Sequence, residues 1–132
     1  MASDDVKTDR RYTKDHEWAK VEGDKVVVGI SAYAVNQLGD ITLVNIDVKP
    51  GDTLTAGKAF GTIESVKTLS DLFAPVSGKI ERINSDLNDK PELVNDDCYG
   101  AWMIELTPSD KSELDGLLDH AAYAELLKTA AH

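Results

Sequence analysis

Apolar and polar residues alternate in short runs along this chain, and glycine or proline closes run after run. A period of two with frequent turn residues predicts many short strands joined by tight turns, which limits the chain to a sheet-based fold. "KVVVGI" puts Val26, Val28 and Ile30 on one face of a strand. "SAYAVNQLG" predicts a short helix, with Ser31 as N-cap, an apolar stripe of Ala34, Val35 and Leu38, and Gly39 just past the end. "ITLVNIDV" returns to strand, with Thr42, Val44, Ile46 and Val48 on one face. Lys49-Pro50-Gly51-Asp52 and Ala56-Gly57-Lys58 are turns around a short run, "TLT". Two strand-like arms follow, 59–65 and 68–74, and Ser77-Gly78 then turns into a strand through Ile83.

"NSDLNDKPELVND" is polar and irregular, with one helical turn expected at Pro91 to Val94 because proline fits the first helical position. "AWMIEL" alternates again, placing Trp102, Ile104 and Leu106 together. Beyond it the period lengthens. "SELD" reads as a capping signal, Asp119 as the cap of a last helix, and Tyr123, Leu126, Leu127 and Ala130 fall at helical spacing. The whole is a mainly β sandwich in one domain, 1–132, with a flexible N-terminal arm over 1–11 and a helical appendage over about 110–130. Two glycine-turn units, "VKPGDTLTAGK" and "APVSGKIERIN", flank the paired arms, and each is placed to carry a strand from one sheet to the other.

Several function classes are excluded by what the chain lacks. Its net charge of −10 argues against nucleic acid, whose phosphates require clustered lysine and arginine. No segment approaches the ~20 apolar residues of a membrane span. Cys98 is the single cysteine, and His16, His120 and His132 show no metal-ligand spacing. No phosphate-binding glycine loop or nucleophile elbow is present, so no conventional active site is encoded and no enzyme is expected. "MASDDVKTDRRYTKD" has no apolar stretch and mixes acids with bases. Neither a secretory signal nor an intact transit peptide is expected there. The expected location is the cytoplasm, or the mitochondrial matrix for a processed chain.

One lysine stands apart. Lys67 falls where the two arms meet, between Glu64 and Asp71, at the tip of a hairpin. Read alone, it is a solvated lysine in a charge-balanced turn. "ESVK" followed by "SDLFAPVSG", together with "HEW" at 16–18, "LGDI" at 38–41 and "PELVN" at 91–95, resembles the glycine cleavage system H proteins along nearly the whole chain. Departures from the family pattern are confined to turns: "IDVKPGD" lacks a Leu-Pro pair, Cys98 stands where proline is common, and "CYGAW" is one residue short.

The resemblance implies a barrel-sandwich hybrid of the lipoyl/biotinyl-domain kind, with a short internal helix and C-terminal helices. It implies lipoic acid in amide linkage on Lys67, with Glu64, Ser65 and Val66 recognised by a lipoate ligase or lipoyltransferase. It further implies a non-catalytic carrier, expected as a monomer, that serves three enzymes. A pyridoxal-phosphate glycine decarboxylase loads an aminomethyl group, a tetrahydrofolate-dependent aminomethyltransferase removes it, and an FAD dihydrolipoamide dehydrogenase reoxidises the arm. Glu17 and Asp71 match positions that line a cleft for the loaded arm. Without the resemblance both read as solvated strand residues. Trp18 and Trp102 read as core, and His16 as a hydrogen-bonded structural histidine. The alternatives are a lipoyl relay that donates its cofactor, or a 2-oxoacid dehydrogenase carrier. The latter lacks support because the chain has no Pro/Ala-rich linker. A biotinyl carrier is disfavoured because Val66 and Thr68, rather than methionines, flank the lysine.

Overall fold

The computed structural model describes residues 6–130. Nine strands and five helices run in the order β1 (Arg11–Tyr12), β2 (Glu17–Glu22), β3 (Lys25–Ile30), α1 (Ala32–Leu38), β4 (Ile41–Ile46), β5 (Thr53–Leu54), β6 (Ala59–Ser65), β7 (Leu69–Phe73), β8 (Gly78–Ile83), α2 (Asp86–Asp89), α3 (Glu92–Asp96), β9 (Ile104–Pro108), α4 (Ser112–Asp115) and α5 (His120–Ala130). They form an antiparallel six-stranded sheet, β1-β2-β3-β9-β8-β5, and a three-stranded sheet, β4-β6-β7. The mainly β reading of the sequence is what the chain folds into.

One core fills the space between the sheets. Val26, Val28 and Ile30 of β3 enter it as the alternation predicts, and meet Ile63, Leu72, Ile80 and Leu106 from the other strands. A second cluster is mostly aromatic: Tyr12, Trp18, Tyr33, Tyr123 and Leu127 pack where α5 meets β1. Gly61 lies so close to the Asn45 carbonyl that a side chain there would drive β4 and β6 apart.

The two glycine-turn units do carry the chain between sheets. The first leaves β4, crosses to β5 in the larger sheet and returns to β6; the second leaves β7 for β8. They also bond to each other, Gly51 N–H to Ile80 O (2.8 Å) and Gly57 N–H to Ala74 O (2.9 Å). The β6–β7 hairpin therefore projects from two mutually braced crossings.

The structure departs from the sequence expectations at particular residues. A register shift between Ile41 and Leu43 turns Ile41 inward and leaves Thr42 exposed, so the inward set of β4 is Ile41, Val44 and Ile46, and Val48 lies beyond the strand. Such a bulge adds one residue to the count and breaks a strict alternation. Met103, not Trp102, joins Ile104 and Leu106 in the core, because the strand begins at Ile104 and the residues before it are not pleated. Trp102 is half-buried beneath the Arg82 guanidinium, 5.1 Å from its ring. The stretch expected to hold one helical turn holds two, α2 and α3, anchored by Leu87 and Val94. Pro91 sits at the cap of α3, not in its first turn. The Ser112 side chain does not cap α4; Asp110 accepts its N–H (3.0 Å), and Glu113 instead holds Ser77. The expected 1–11 arm falls partly outside the described residues. Within it, Arg10 stacks on Trp18 and Arg11 opens β1. The side chain of Ala130, and His132, also lie outside them.

Candidate functional site

The β6–β7 hairpin turns through Ser65-Val66-Lys67-Thr68. Ser65 is buried and its hydroxyl oxygen accepts N–H groups from Lys67 (3.1 Å) and Thr68 (3.2 Å), while its own N–H donates to Thr68 O (2.8 Å). Val66 N–H donates to Asp40 O (3.1 Å), which ties the tip to the start of β4. Asn95 grips Ile41 by both of its main-chain groups, Ile41 N–H to Oδ1 (3.1 Å) and Nδ2 to Ile41 O (3.3 Å), and so steadies that anchor from the far side. Gly39, at φ 83°, ends α1 in a conformation that favours glycine, and it lies beside the tip, where a Cβ would be in ordinary contact with the Lys67 stem.

Lys67 is exposed, and its ammonium meets no carboxylate among the described residues. Around it stand exposed apolar groups: Val66 at 68% exposure, Leu69 at 61% and Leu43 at 44%. Glu64 faces Leu43 on one neighbouring strand and Leu69 on the other, so the tip wears a mixed apolar and acidic collar.

A groove of ≈ 210 Å³ lies beside this hairpin. Ala34, Gln37 and Leu38 of α1 form one wall, Asp15, His16 and Glu17 another, and Ser70, Asp71 and Leu72 of β7 a third. Leu38, in the α1 wall, is followed by Gly39, which lies beside the Lys67 stem, so the groove and the lysine meet at the two faces of one helix end. Glu17 and Asp71, named from sequence, are brought together here, and they differ sharply. Asp71 is exposed. Glu17 is 2% exposed, its Oε1 taking the Thr13 hydroxyl (2.6 Å) and its Oε2 the Phe73 N–H (3.2 Å). It is therefore no solvated strand residue. Burial raises its pKa from 4.5 to about 7, against the pull of those two hydrogen bonds.

Two further residues shape the site without having been named for it. Thr13 accepts N–H groups from Asp15 (3.1 Å) and Glu17 (3.2 Å) as well as donating to the Glu17 carboxylate. A threonine four residues ahead of a strand-opening glutamate is the signal that could have pointed to it. Tyr123 reaches the same turn from α5, with its hydroxyl 2.8 Å from His16 Nδ1. That contact is only a helical-face tyrosine in sequence terms. His16 is hydrogen-bonded and half-buried, and burial lowers its pKa. Trp18 is fully in the aromatic core, its Nε1–H donating to Cys98 O (3.3 Å).

Among the described residues no cluster of histidine, cysteine or acid could hold a metal, and no helix is long and apolar enough to cross a membrane. Residues 10–130 match the family model described as glycine cleavage H-protein. A glycine cleavage system H protein of Myxococcus xanthus is 46% identical over 129 residues, covering 97% of this chain and 99% of its own. One from a Geobacillus strain is 50% identical over 119 residues, 89% of this chain and 93% of its own. Among solved structures, a glycine cleavage system H protein from Mycobacterium marinum superposes with a TM-score of 0.82 at 36% identity, covering 96% of this chain and 100% of that one.

Proposed function

The chain belongs to the glycine cleavage H-protein family, and we propose that it carries lipoic acid on Lys67 and uses it to convey the aminomethyl group of glycine between enzymes. A pyridoxal-phosphate decarboxylase loads the cargo, a tetrahydrofolate-dependent aminomethyltransferase unloads it, and an FAD dihydrolipoamide dehydrogenase resets the arm. The chain is a shared substrate of these enzymes and performs no catalysis itself. When attached, the cofactor supplies a dithiolane that takes up electrons and cargo; the protein supplies position and shelter.

The observation that carries this reading is the exposed Lys67, its ammonium without a carboxylate among the described residues, on a hydrogen-bonded tip beside an acid-lined groove. An amide on Nζ removes the lysine charge and breaks no ion pair, because the ammonium meets no carboxylate among the described residues. The tip is fixed by main-chain bonds and by Ser65, so a ligase meets a shaped target, with Glu64 and Val66 as the nearest side chains to read. Within the groove the walls of Ala34, Leu38 and Leu72 suit an alkyl chain, and Glu17 and Asp71 suit a cationic amine. A cation beside Glu17 favours its charged form, so a carboxyl poised near 7 can release its proton as the amine docks.

The test is intact mass and peptide mapping after treatment with lipoate, ATP and a lipoate ligase. Wild type should gain one lipoyl group, mapped to Lys67. Lys67→Arg should fold with an unchanged Tm and gain none, since a guanidinium stays protonated. Lipoate found at wild-type yield on another lysine would overturn the assignment.

A further inference from the structure

α5 lies outside the two sheets, and its apolar residues alone would explain why it packs. Tyr123 does more than pack. Its ring is buried and stacked on Tyr12, with centroids 4.2 Å apart, and its hydroxyl lies 2.8 Å from His16 Nδ1 and 2.6 Å from Ser31 Oγ. One partner lines the groove, and the other caps the helix that forms a second wall. His16 lines the groove directly, next to Glu17. Ser31 is the N-cap of α1, its Oγ accepting the Ala34 N–H (3.3 Å), and Ala34, Gln37 and Leu38 form the α1 wall.

The chain of bonds can run two ways, because a hydroxyl gives one hydrogen bond and accepts two. Either Ser31 donates to Tyr123 and Tyr123 to His16 Nδ1, or His16 Nδ1–H donates to Tyr123 and Tyr123 to Ser31 Oγ. In each arrangement the chain fixes which imidazole nitrogen carries the hydrogen. It also braces a backbone under strain, because His16 has φ 74°, a region that non-glycine residues seldom occupy. A second tie, Ser31 N–H to His16 O (2.9 Å), closes the link between the two walls.

We infer that Tyr123 is a positioning residue for the arm groove, and that through its hydroxyl the C-terminal helix sets the spacing of the His16–Glu17 turn against α1. The inference rests on the groove being where the loaded arm is held, as proposed above. It predicts that a single oxygen, far in sequence from Lys67, governs how well cargo is protected and leaves lipoylation alone.

The experiment compares Tyr123→Phe with Tyr12→Phe in the full chain. Tyr12 is the stacked neighbour and equally buried, but its hydroxyl bonds the Lys7 main chain (2.7 and 2.9 Å) and the Tyr99 side chain, not His16 or Ser31, so it controls for loss of a buried hydroxyl from the same cluster. The first readout needs no cofactor. Imidazole ¹⁵N shifts of His16 in the unmodified protein should report one and the same tautomer in wild type and in Tyr12→Phe, and a mixture of tautomers in Tyr123→Phe. Identical shifts in all three would overturn the inference. The second readout is the half-life of purified, lipoylated and cargo-loaded protein without tetrahydrofolate. In that decay water breaks the carbon–sulfur bond, the sulfur takes a proton, and formaldehyde and ammonia leave. Tyr123→Phe should shorten it about fivefold, the factor for one hydrogen bond worth about 1 kcal/mol, and Tyr12→Phe should match wild type. Equal shortening in both would mean general loosening and would sink the inference. Glu17→Gln with Asp71→Asn separates the remaining cases. If that pair shortens the half-life and Tyr123→Phe does not, the groove reading stands and the positioning role falls. If neither does, both fall.

Discussion

The hairpin tip and the groove beside it are built in opposite ways. The tip is local. Four consecutive residues make it, Ser65 holds it with its own hydroxyl, and Lys67, Val66 and Leu69 stand open to solvent. The groove is assembled from distant parts of the chain: Thr13 to Glu17, the α1 wall, β7, and Tyr123 behind them. Its key carboxyl is buried where the tip's lysine is exposed. The covalent attachment proposed for the tip needs access and a fixed outline, which a turn can provide. A site that shelters a charge must exclude water, and only long-range packing does that.

If burial is what defines the groove, Glu17 should report it through the pH dependence of folding, and this is the largest effect expected. Its folded pKa of about 7 lies above the usual 4.5, so the folded chain binds a proton that the unfolded chain has released. The stability this contributes is complete below about pH 4.5 and is lost as pH rises through 7. At 1.36 kcal/mol per pKa unit the swing is roughly 3 kcal/mol. Urea unfolding of the unlipoylated protein at pH 5 and pH 8 should show wild type losing that much relative to Glu17→Gln. Parallel pH profiles for the two would mean that water reaches Glu17, and the contrast with the tip would collapse.

This division also explains what could be read without coordinates. The place of Lys67 at a hairpin tip is legible because it is local, a lysine between two alternating arms with glycine-turn units on both sides, whereas its reading as a lipoyl site comes from the family resemblance. The strands of β3, β6 and β8 are legible for the same reason, as is the Ser31 cap. What stayed hidden depends on partners far along the chain. The bulge after Ile41 is set by pairing with Glu64 and Ser65, and no alternation count reveals it. Glu17 and Asp71 look alike in sequence, two acids in strand-like runs. Only the closure of Thr13 and Phe73 over Glu17 makes one buried and leaves the other exposed. Trp102 and Met103 exchange places because their segment lies outside the pleated ladder that begins at Ile104. The aromatic cluster under α5 joins positions more than a hundred residues apart.

A second, smaller effect separates the two regions by function. Glu17→Gln with Asp71→Asn should leave the rate of lipoylation at Lys67 unchanged, because neither side chain contacts the tip. The same pair should shorten the half-life of the cargo-loaded protein about tenfold or more, since a charge-assisted hydrogen bond contributes about 1.5–3 kcal/mol. Mass spectrometry of timed samples measures both quantities on one preparation. A matching fall in lipoylation rate would show that tip and groove are a single recognition surface.

The smallest effect tests the tip from within. Ser65→Ala removes the oxygen that accepts the Lys67 and Thr68 N–H groups but keeps the main-chain bond from Ser65 to Thr68, so the hairpin should still close. Lys67 is exposed, and its freed N–H can turn to water, which limits the cost to about 1 kcal/mol or less of stability. A looser tip presents its lysine in the correct pose for a smaller share of the time, so the ligase reaction should slow by a few fold, about the factor that one hydrogen bond commands. Loading and shelter of cargo, once the arm is attached, should be unchanged, because Ser65 does not line the groove. Initial lipoylation rates for wild type and Ser65→Ala at limiting ligase would show the first effect, and the half-life of the loaded protein the second. A variant that is lipoylated at the wild-type rate would mean that the ligase reads the apolar collar of Val66, Leu69 and Leu43 and is indifferent to how tightly the turn itself is held.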